Sequence, residues 1–279
     1  MKRIACIAAC VLLLFMVAAC GRPGGGVDDS KKGEDTMTEE SKAIISFLGC
    51  EYEWIQNTDK GVRVMERFRA LTEQGKTEGF FPLIIIPSVT LLESLEFTME
   101  DSESPEAGRN AVLQAAQETN AQDVFAEQMQ EREEGWPSEE DWEEMLGEFE
   151  PVGQDSFSYE NYGAYKGEPE LIIAKIPAEH PWELAAWVPM GGFNECPMPA
   201  QQVAVFRYWY EQYGAVPRLV SYDIWEMTVA KAPQIQAQAE ALAKEQYAFC
   251  FDIVDQGAGT IRALAGGLID SPLWQFWWD

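Results

Sequence analysis

One apolar run constrains the fold of this chain more than any other feature. Residues 80–87 read Phe-Phe-Pro-Leu-Ile-Ile-Ile-Pro, so that prolines bracket a series of isoleucines. A short apolar run rich in β-branched residues favours a strand with both faces buried. The run therefore predicts one buried strand in the first half of the chain.

The other periodic segments are a mixture of helices and strands. Helices are predicted over residues 64–75, 182–187, 199–213, 234–250 and 261–268. A polar helix rich in Ala and Gln is predicted over residues 110–132. Strand patterns occur at residues 171–176, at a hairpin over 219–229 and at 273–279. Since these elements do not follow a strict βαβ rhythm, we predict an α+β fold with a mixed sheet flanked by helices in a single main domain.

The charge balance is strongly acidic. The chain has 47 Asp and Glu against 20 Lys and Arg, which gives a formal net charge of −27. Residues 93–150 contain only two basic residues, Arg109 and Arg132, and predict an acidic helical insert in which Ser138 and Asp141 form a helix cap. An acidic surface repels phosphate backbones, so we expect no nucleic-acid partner.

Composition excludes several other classes of protein. The chain has 10 Trp, 14 Phe and 9 Tyr, too many aromatic residues for a coiled coil, a collagen-like chain or a disordered chain. His180 is the only histidine, which excludes a zinc hydrolase with several histidine ligands. No segment follows the calcium-loop pattern, and we predict neither a metal nor a cofactor.

The N-terminus has the organisation of an export signal. Lys2 and Arg3 precede an apolar stretch at residues 4–17, and Val-Ala-Ala-Cys-Gly follows at residues 17–21. Small residues before a cysteine resemble the bacterial lipobox, which implies that residues 1–19 are removed and that Cys20 carries lipid. We expect an exported protein that is attached to the membrane through lipid on Cys20. The alternatives are an ordinary signal peptide or an N-terminal anchor that happens to contain a cysteine.

Composition also predicts the organisation beyond the leader. Residues 20–42 are rich in Gly, Asp, Ser, Lys and Glu and predict a flexible tether. We divide the remainder into an N-terminal α/β part with the acidic segment, residues 43–150, and a C-terminal α+β domain, residues 151–279. Cys50, Cys196 and Cys250 can form at most one disulfide, and all three could equally be buried apolar residues.

Four segments of the C-terminal half carry a family resemblance. They are Trp-Tyr-Glu-Gln-Tyr-Gly-Ala at 209–215, Ala-Leu-Ala-Lys-Glu-Gln-Tyr-Ala-Phe-Cys at 241–250, Asp-Ile-Val-Asp-Gln-Gly at 252–257 and Phe-Trp-Trp-Asp at 276–279. Together they resemble the bacterial domain-of-unknown-function family numbered 4253, over about residues 171–279. The resemblance implies a domain boundary and no particular activity.

Polar residues in two loops are the main candidates for a site. Asn194, Glu195 and Cys196 follow a Gly-Gly pair, and Asp252, Asp255 and Gln256 precede the last helix. Loops on a rigid scaffold commonly hold functional residues. Binding candidates are Asn194, Asp252, Gln256 and Trp278, and weak catalytic candidates are Glu195, Cys196 and Asp255.

Each candidate has a competing structural interpretation. A Cys196 thiolate could pair with His180, oriented by Asp223 or Asp255, but no helix N-terminus clearly lowers its pKa. The glycine-rich turn at 257–260 could hold an anion, although a helix cap formed by Asp255 or Thr260 is the favoured interpretation.

Two further groupings are weaker. Glu195, Asp252, Asp255 and Asp279 could form a metal site or an acid/base pair, but no spacing places them together. The final aromatic residues could stack on sugar rings, although rings in an alternating strand are usually core. These residues are Trp274, Phe276, Trp277 and Trp278.

The sequence favours a non-enzymatic function, because no catalytic triad, metal-ligand spacing or phosphate loop stands out. We predict a binding or interaction module of the cell envelope with a protein partner as one option. Two alternatives stay open. One is a hydrolase of an envelope polymer that uses carboxylates near Glu195 and Asp255, and the other is a protein that neutralises a basic toxin.

Overall fold

The computed structural model of the protein describes residues 37–133, 138–150 and 164–279. It confirms the α+β class, since helices flank one mixed sheet. The leader at residues 1–19, Cys20 and most of the predicted tether lie outside the described residues. Within the described ranges, no helix has the length and apolar character needed to cross a membrane.

Six strands form the sheet in the order β1-β3-β2-β4-β5-β6. Their bounds are β1 Glu51–Gln56, β2 Phe81–Ile85, β3 Glu170–Ile176, β4 Val216–Val220, β5 Ile224–Thr228 and β6 Leu273–Trp277. Strands β2 and β4 pair in parallel, and all the other neighbours are antiparallel. The parts predicted as 43–150 and 151–279 therefore share one sheet, because β3 lies between β1 and β2.

The described ranges contain ten α-helices. Their bounds are α1 Glu39–Leu48, α2 Val62–Glu78, α3 Val89–Thr98, α4 Pro105–Glu118, α5 Ala121–Glu133, α6 Glu139–Leu146, α7 Leu184–Trp187, α8 Pro199–Tyr213, α9 Gln236–Phe249 and α10 Ile261–Leu268. Short 3₁₀ turns lie at Ala164–Lys166 and Pro181–Glu183, and a π-helical turn lies at Ile253–Ala258.

Strand β2 is buried on both faces, as its sequence predicts. Leu83 and Ile85 belong to one hydrophobic core, whereas Ile84 belongs to another, and all three are fully buried. This division arises because successive side chains of a strand point to opposite faces of the sheet. Helix α2 covers the second face with Val64, Phe68 and Leu71.

The larger core lies on the opposite face and is dominated by aromatic residues. Trp209 of α8 stacks on Phe276 of β6, with ring centroids 5.2 Å apart. Trp209, Trp225 and Trp274 are all at most 1% exposed. The many aromatic residues of the sequence therefore pack together in this core.

Several predicted boundaries differ from the structure. Helix α1 begins at Glu39, inside the range predicted as tether, because Thr38 caps it and both Thr38 and Ser41 donate hydrogen bonds to Glu170. Helix α2 continues through Gly75 and ends at Gly79, which has a φ of 79°. The helix predicted over residues 110–132 is two helices, α4 and α5, with a break near Asn120.

Candidate functional site

Two of the predicted polar residues in the loop before the last helix, Asp252 and Gln256, contact each other. Asp252 accepts a hydrogen bond from the Gln256 side chain at 2.9 Å and another from the backbone of Asp279 at 2.9 Å. Asp252 therefore ties the π-helical turn to the C-terminal residue. The π-helical turn itself was not predicted, because its apolar spacing is neither that of a strand nor that of an α-helix.

Asp255 belongs to a separate polar network. It forms an ion pair with Arg132 of the acidic segment and accepts a hydrogen bond from the Tyr247 hydroxyl at 3.2 Å. Burial raises the pKa of Tyr247, and the nearby charge of Glu195 raises it further. The network thus brings Glu195 and Asp255 into the same region, where Arg132 neutralises Asp255. Sequence reasoning missed Tyr247 and did not pair Arg132 with Asp255.

The Gly-Gly loop does not present a reactive thiol. Asn194 and Glu195 are exposed and have positive φ angles of 42° and 62°. Cys196 is 4% exposed, and its sulfur lies 3.9 Å from the Met190 sulfur. Burial raises the pKa of the Cys196 thiol well above its usual value. The hypothesis of a Cys196 nucleophile is therefore unsupported, because a buried thiol with a raised pKa does not ionise near neutral pH.

The final aromatic residues serve mainly as core. Trp274, Phe276 and Trp278 are at most 2% exposed, and Trp277 is half-buried. The glycine-rich turn has the structural role that its sequence favoured, since the Thr260 hydroxyl accepts a hydrogen bond from the backbone of Ala263 at 3.2 Å. This contact caps α10.

A cavity of about 620 Å³ lies elsewhere, between α4, α8 and the segment after β3. We call it the arginine cavity. It is lined by none of the loop residues discussed above. Its polar and aromatic lining includes Glu106, Arg109, Asn110, Gln117, Glu179, His180, Trp182, Glu183, Trp187 and Arg207.

Arg109 is the most unusual residue of this cavity. Its guanidinium carbon lies 3.4 Å from the centroid of the Trp187 ring, a cation–π contact. Burial lowers the pKa of Arg109, although the charge of Glu106 acts in the opposite direction. The helical spacing of α4 directs Arg109 towards α7, where Trp187 ends the helix.

Arg207 approaches the cavity from α8. Its Nη2 atom donates to the carbonyls of Ala116 at 3.5 Å and Thr119 at 3.3 Å, at the C-terminal end of α4. Such contacts satisfy helix carbonyls that have no partner within the helix. Across the described ranges, neither Arg109 nor Arg207 has a carboxylate within 4.0 Å.

An aromatic and acidic group forms the wall after β3. His180 stacks on Trp182 at 4.2 Å, and Trp182 contacts Tyr210 at 5.0 Å. Glu179, His180 and Glu183 can place three ligand atoms within 4.8 Å of one another, so they are the residues that could hold a metal ion. Two of these residues are exposed, and Glu183 already accepts a hydrogen bond from the backbone of Glu179 at 3.0 Å. We infer no metal site from this group alone.

Sequence reasoning did not identify the arginine cavity as a site. In the sequence, Arg109 is notable only as a basic residue in an acidic segment, and His180 is notable as the only histidine and as a partner for Cys196. Arg207 and Trp187 carried no signal in the sequence. The cavity depends on helices that are far apart in the chain, and local patterns do not show such contacts.

Comparison with known proteins confirms the resemblance seen in the C-terminal half. Residues 172–279 match the model of a family described as Domain of unknown function (DUF4253). No curated protein and no solved structure matches the chain. The matched region contributes His180, Trp187 and Arg207 to the arginine cavity, whereas Arg109 precedes it.

Proposed function

For a chain whose residues 172–279 match the model of a family of unknown function, we propose a non-enzymatic role as a binding module. Its ligand site is the arginine cavity, and its ligand carries a carboxylate. The volume of about 620 Å³ falls within the range of sites for small molecules. Aromatic walls with a few converging polar groups are also typical of such sites.

The observation that carries this proposal is the pair of arginines without carboxylate partners. In a chain with a net charge of −27, carboxylates are abundant, yet none within the described ranges pairs with Arg109 or Arg207. A partly buried cation that has no carboxylate within ion-pair distance is costly, and an anionic ligand offsets that cost. Asn110 and Gln117 add amide donors on the same side.

The acidic residues of the arginine cavity favour a carboxylate over a phosphate. Glu106, Glu179 and Glu183 line the same cavity. A phosphate carries up to two negative charges and meets more repulsion from these residues than a singly charged carboxylate does. Arginine binds a carboxylate with two parallel hydrogen bonds, which also orients the ligand.

Calorimetric titration with benzoate tests this function. Benzoate supplies one carboxylate and a flat ring that matches the tryptophan walls. We expect Arg109→Gln to weaken benzoate binding by tenfold or more, since hydrogen bonds to charged groups contribute about 1.5–3 kcal/mol. Arg63→Gln, at an exposed arginine of α2, is the matched control and should leave the affinity unchanged. Equal affinities of the two variants for benzoate would contradict the proposed site.

We further propose that the module is exported and held at the membrane by lipid on Cys20. The support is the order of charged residues, apolar stretch, small residues and cysteine in the leader. Labelling of cells with radioactive palmitate should mark the wild-type protein and the Cys10→Ala variant, but not Cys20→Ala. Cys10 is the control because it lies within the leader. Label that survives in Cys20→Ala would overturn the lipid anchor.

A further inference from the structure

A second cavity lies on the other side of the segment after β3. Its volume is about 590 Å³, and we call it the apolar cavity. Phe68, Phe80, Phe81 and Pro217 contribute apolar surface to its lining, and Thr72 of α2 also faces it. Charged residues of its lining, such as Arg69 and Lys76, come from α2.

The two cavities share a wall. Ala178 and Glu179 line both of them. Trp182 lines the arginine cavity, Tyr210 lines the apolar cavity, and their rings lie 5.0 Å apart. A polar cavity with two guanidiniums therefore adjoins an apolar one, and only a short segment separates them.

We propose that the carboxylate ligand is a fatty acid with an unbranched alkyl chain. Its carboxylate binds Arg109 and Arg207, and its alkyl chain passes over the surface of residues 178–181 into the apolar cavity. The charge of the arginines selects the anionic head, and the aromatic lining removes the chain from water. This inference rests on the proposed function, because it assigns the rest of the ligand whose carboxylate occupies the arginine cavity.

The chain length of the ligand gives a quantitative expectation. Each methylene that leaves water for an apolar site strengthens binding about fourfold. Octanoate has four methylenes more than butyrate, so its affinity should be on the order of 100-fold higher. A ligand whose alkyl chain stays in water would show no such rise.

The experiment is calorimetric titration of the purified protein with butyrate, hexanoate and octanoate, all below their micelle concentrations. Octylammonium, with the same chain and a cationic head, is the control ligand and should not bind. Thr72→Phe fills the apolar cavity and should weaken octanoate binding by tenfold or more while butyrate binding stays the same. Thr77→Phe is the matched control, because Thr77 is an exposed residue of the same helix.

A second measurement covers the case in which Thr72→Phe fails to fold. Octanoate with a photoreactive diazirine at the chain end should label peptides of α2, β2 or β4 in the wild-type protein. Label confined to other peptides overturns the inference.

The outcomes separate this inference from the proposed function. Equal affinities for butyrate and octanoate, both lost in Arg109→Gln, would leave the carboxylate site intact and overturn the fatty-acid ligand. Octanoate binding that Arg109→Gln does not change would overturn both, as would an absence of binding by every carboxylate.

Discussion

The guanidinium of Arg109 lies over the indole of Trp187, with 3.4 Å between its central carbon and the ring centroid. The contact joins helix α4, which precedes the matched family region, to α7, which lies inside it. It holds a cation at the wall of the arginine cavity without using a carboxylate. Arg109 therefore stays available for an anionic ligand.

A double-mutant cycle measures this contact. We expect Arg109→Gln and Trp187→Leu to show a coupling of about 1 kcal/mol in the free energy of unfolding, because a partly desolvated cation–π pair contributes that much. Chemical denaturation of the four proteins provides the measurement. The cycle of Arg63→Gln with Trp187→Leu should be additive, and a coupling as large in that control would show that the effect is not specific to the contact.

Glu170 should make stability depend on pH. Burial would raise the pKa of Glu170, but hydrogen bonds from Ser41, Thr38 and Trp54 outweigh it and lower the pKa below its usual value. A lowered pKa means that the folded protein prefers the charged form. The stabilisation is complete above the unfolded pKa of about 4.5 and is lost as the pH falls through the folded value.

Glu170→Gln tests this expectation. At pH 7 the variant should lose about 1–3 kcal/mol in the free energy of unfolding, because the hydrogen bonds then reach a neutral acceptor. The difference from the wild type should shrink as the pH falls below 4.5. Denaturation at pH 7 and pH 3.5 provides the comparison, with the exposed Glu51→Gln as control. A difference that stays constant with pH would contradict a role of the carboxylate charge.

The ion pair of Arg218 and Glu226 is buried in the sheet. Their nitrogen and oxygen atoms lie 2.8 Å apart, and the side chains are 4% and 2% exposed. Removing one partner of such a pair leaves a buried charge, so Glu226→Gln should cost about 3–5 kcal/mol. Glu39→Gln removes an exposed pair with Lys42 and should cost less than about 1 kcal/mol. Similar losses in urea denaturation for both variants would contradict this account.

The three cysteines of the described ranges should be unreactive in the folded protein. Burial raises the pKa of Cys50 to about 11 and also raises the pKa values of Cys196 and Cys250. We expect slow alkylation by iodoacetamide at pH 8, with Cys50 the first to react because it is partly exposed. Mass spectrometry locates the label at each site, and the protein in guanidinium chloride is the control. Rapid labelling of native Cys196 would restore the nucleophile hypothesis.

The start of α1 shows where local sequence fails to predict a boundary. Residues 39–42 have the composition of the tether, yet they are helical because Thr38 caps the helix and bonds to Glu170. Glu170 is 132 residues away in the chain. Composition describes the neighbours of a residue in sequence, and this partner comes from a strand across the fold.

The candidate site shows the same limit. Asp255, which the sequence suggested as an acid/base residue, forms an ion pair with Arg132, 123 residues away in the chain. Arg109, Trp187 and Arg207 meet at one cavity although they belong to three different helices. The loops that looked functional in the sequence instead hold Asp252 to the C-terminus and bury Cys196.

The amino-acid sequence by itself determined the family region, the helix at residues 199–213 with its end at Gly214, the buried strand β2 and the final strand. These features depend on hydrophobic periodicity and on the residues that end a helix or strand. Both act between residues that are close in the sequence, as secondary-structure propensity does. Only the tertiary structure decided that β2 lies between β3 and β4 and that two arginines face one cavity. Those relationships arise because segments far apart in the chain bury their apolar faces against one another. Many segments have the same local pattern, so the pattern alone does not decide which of them pack together.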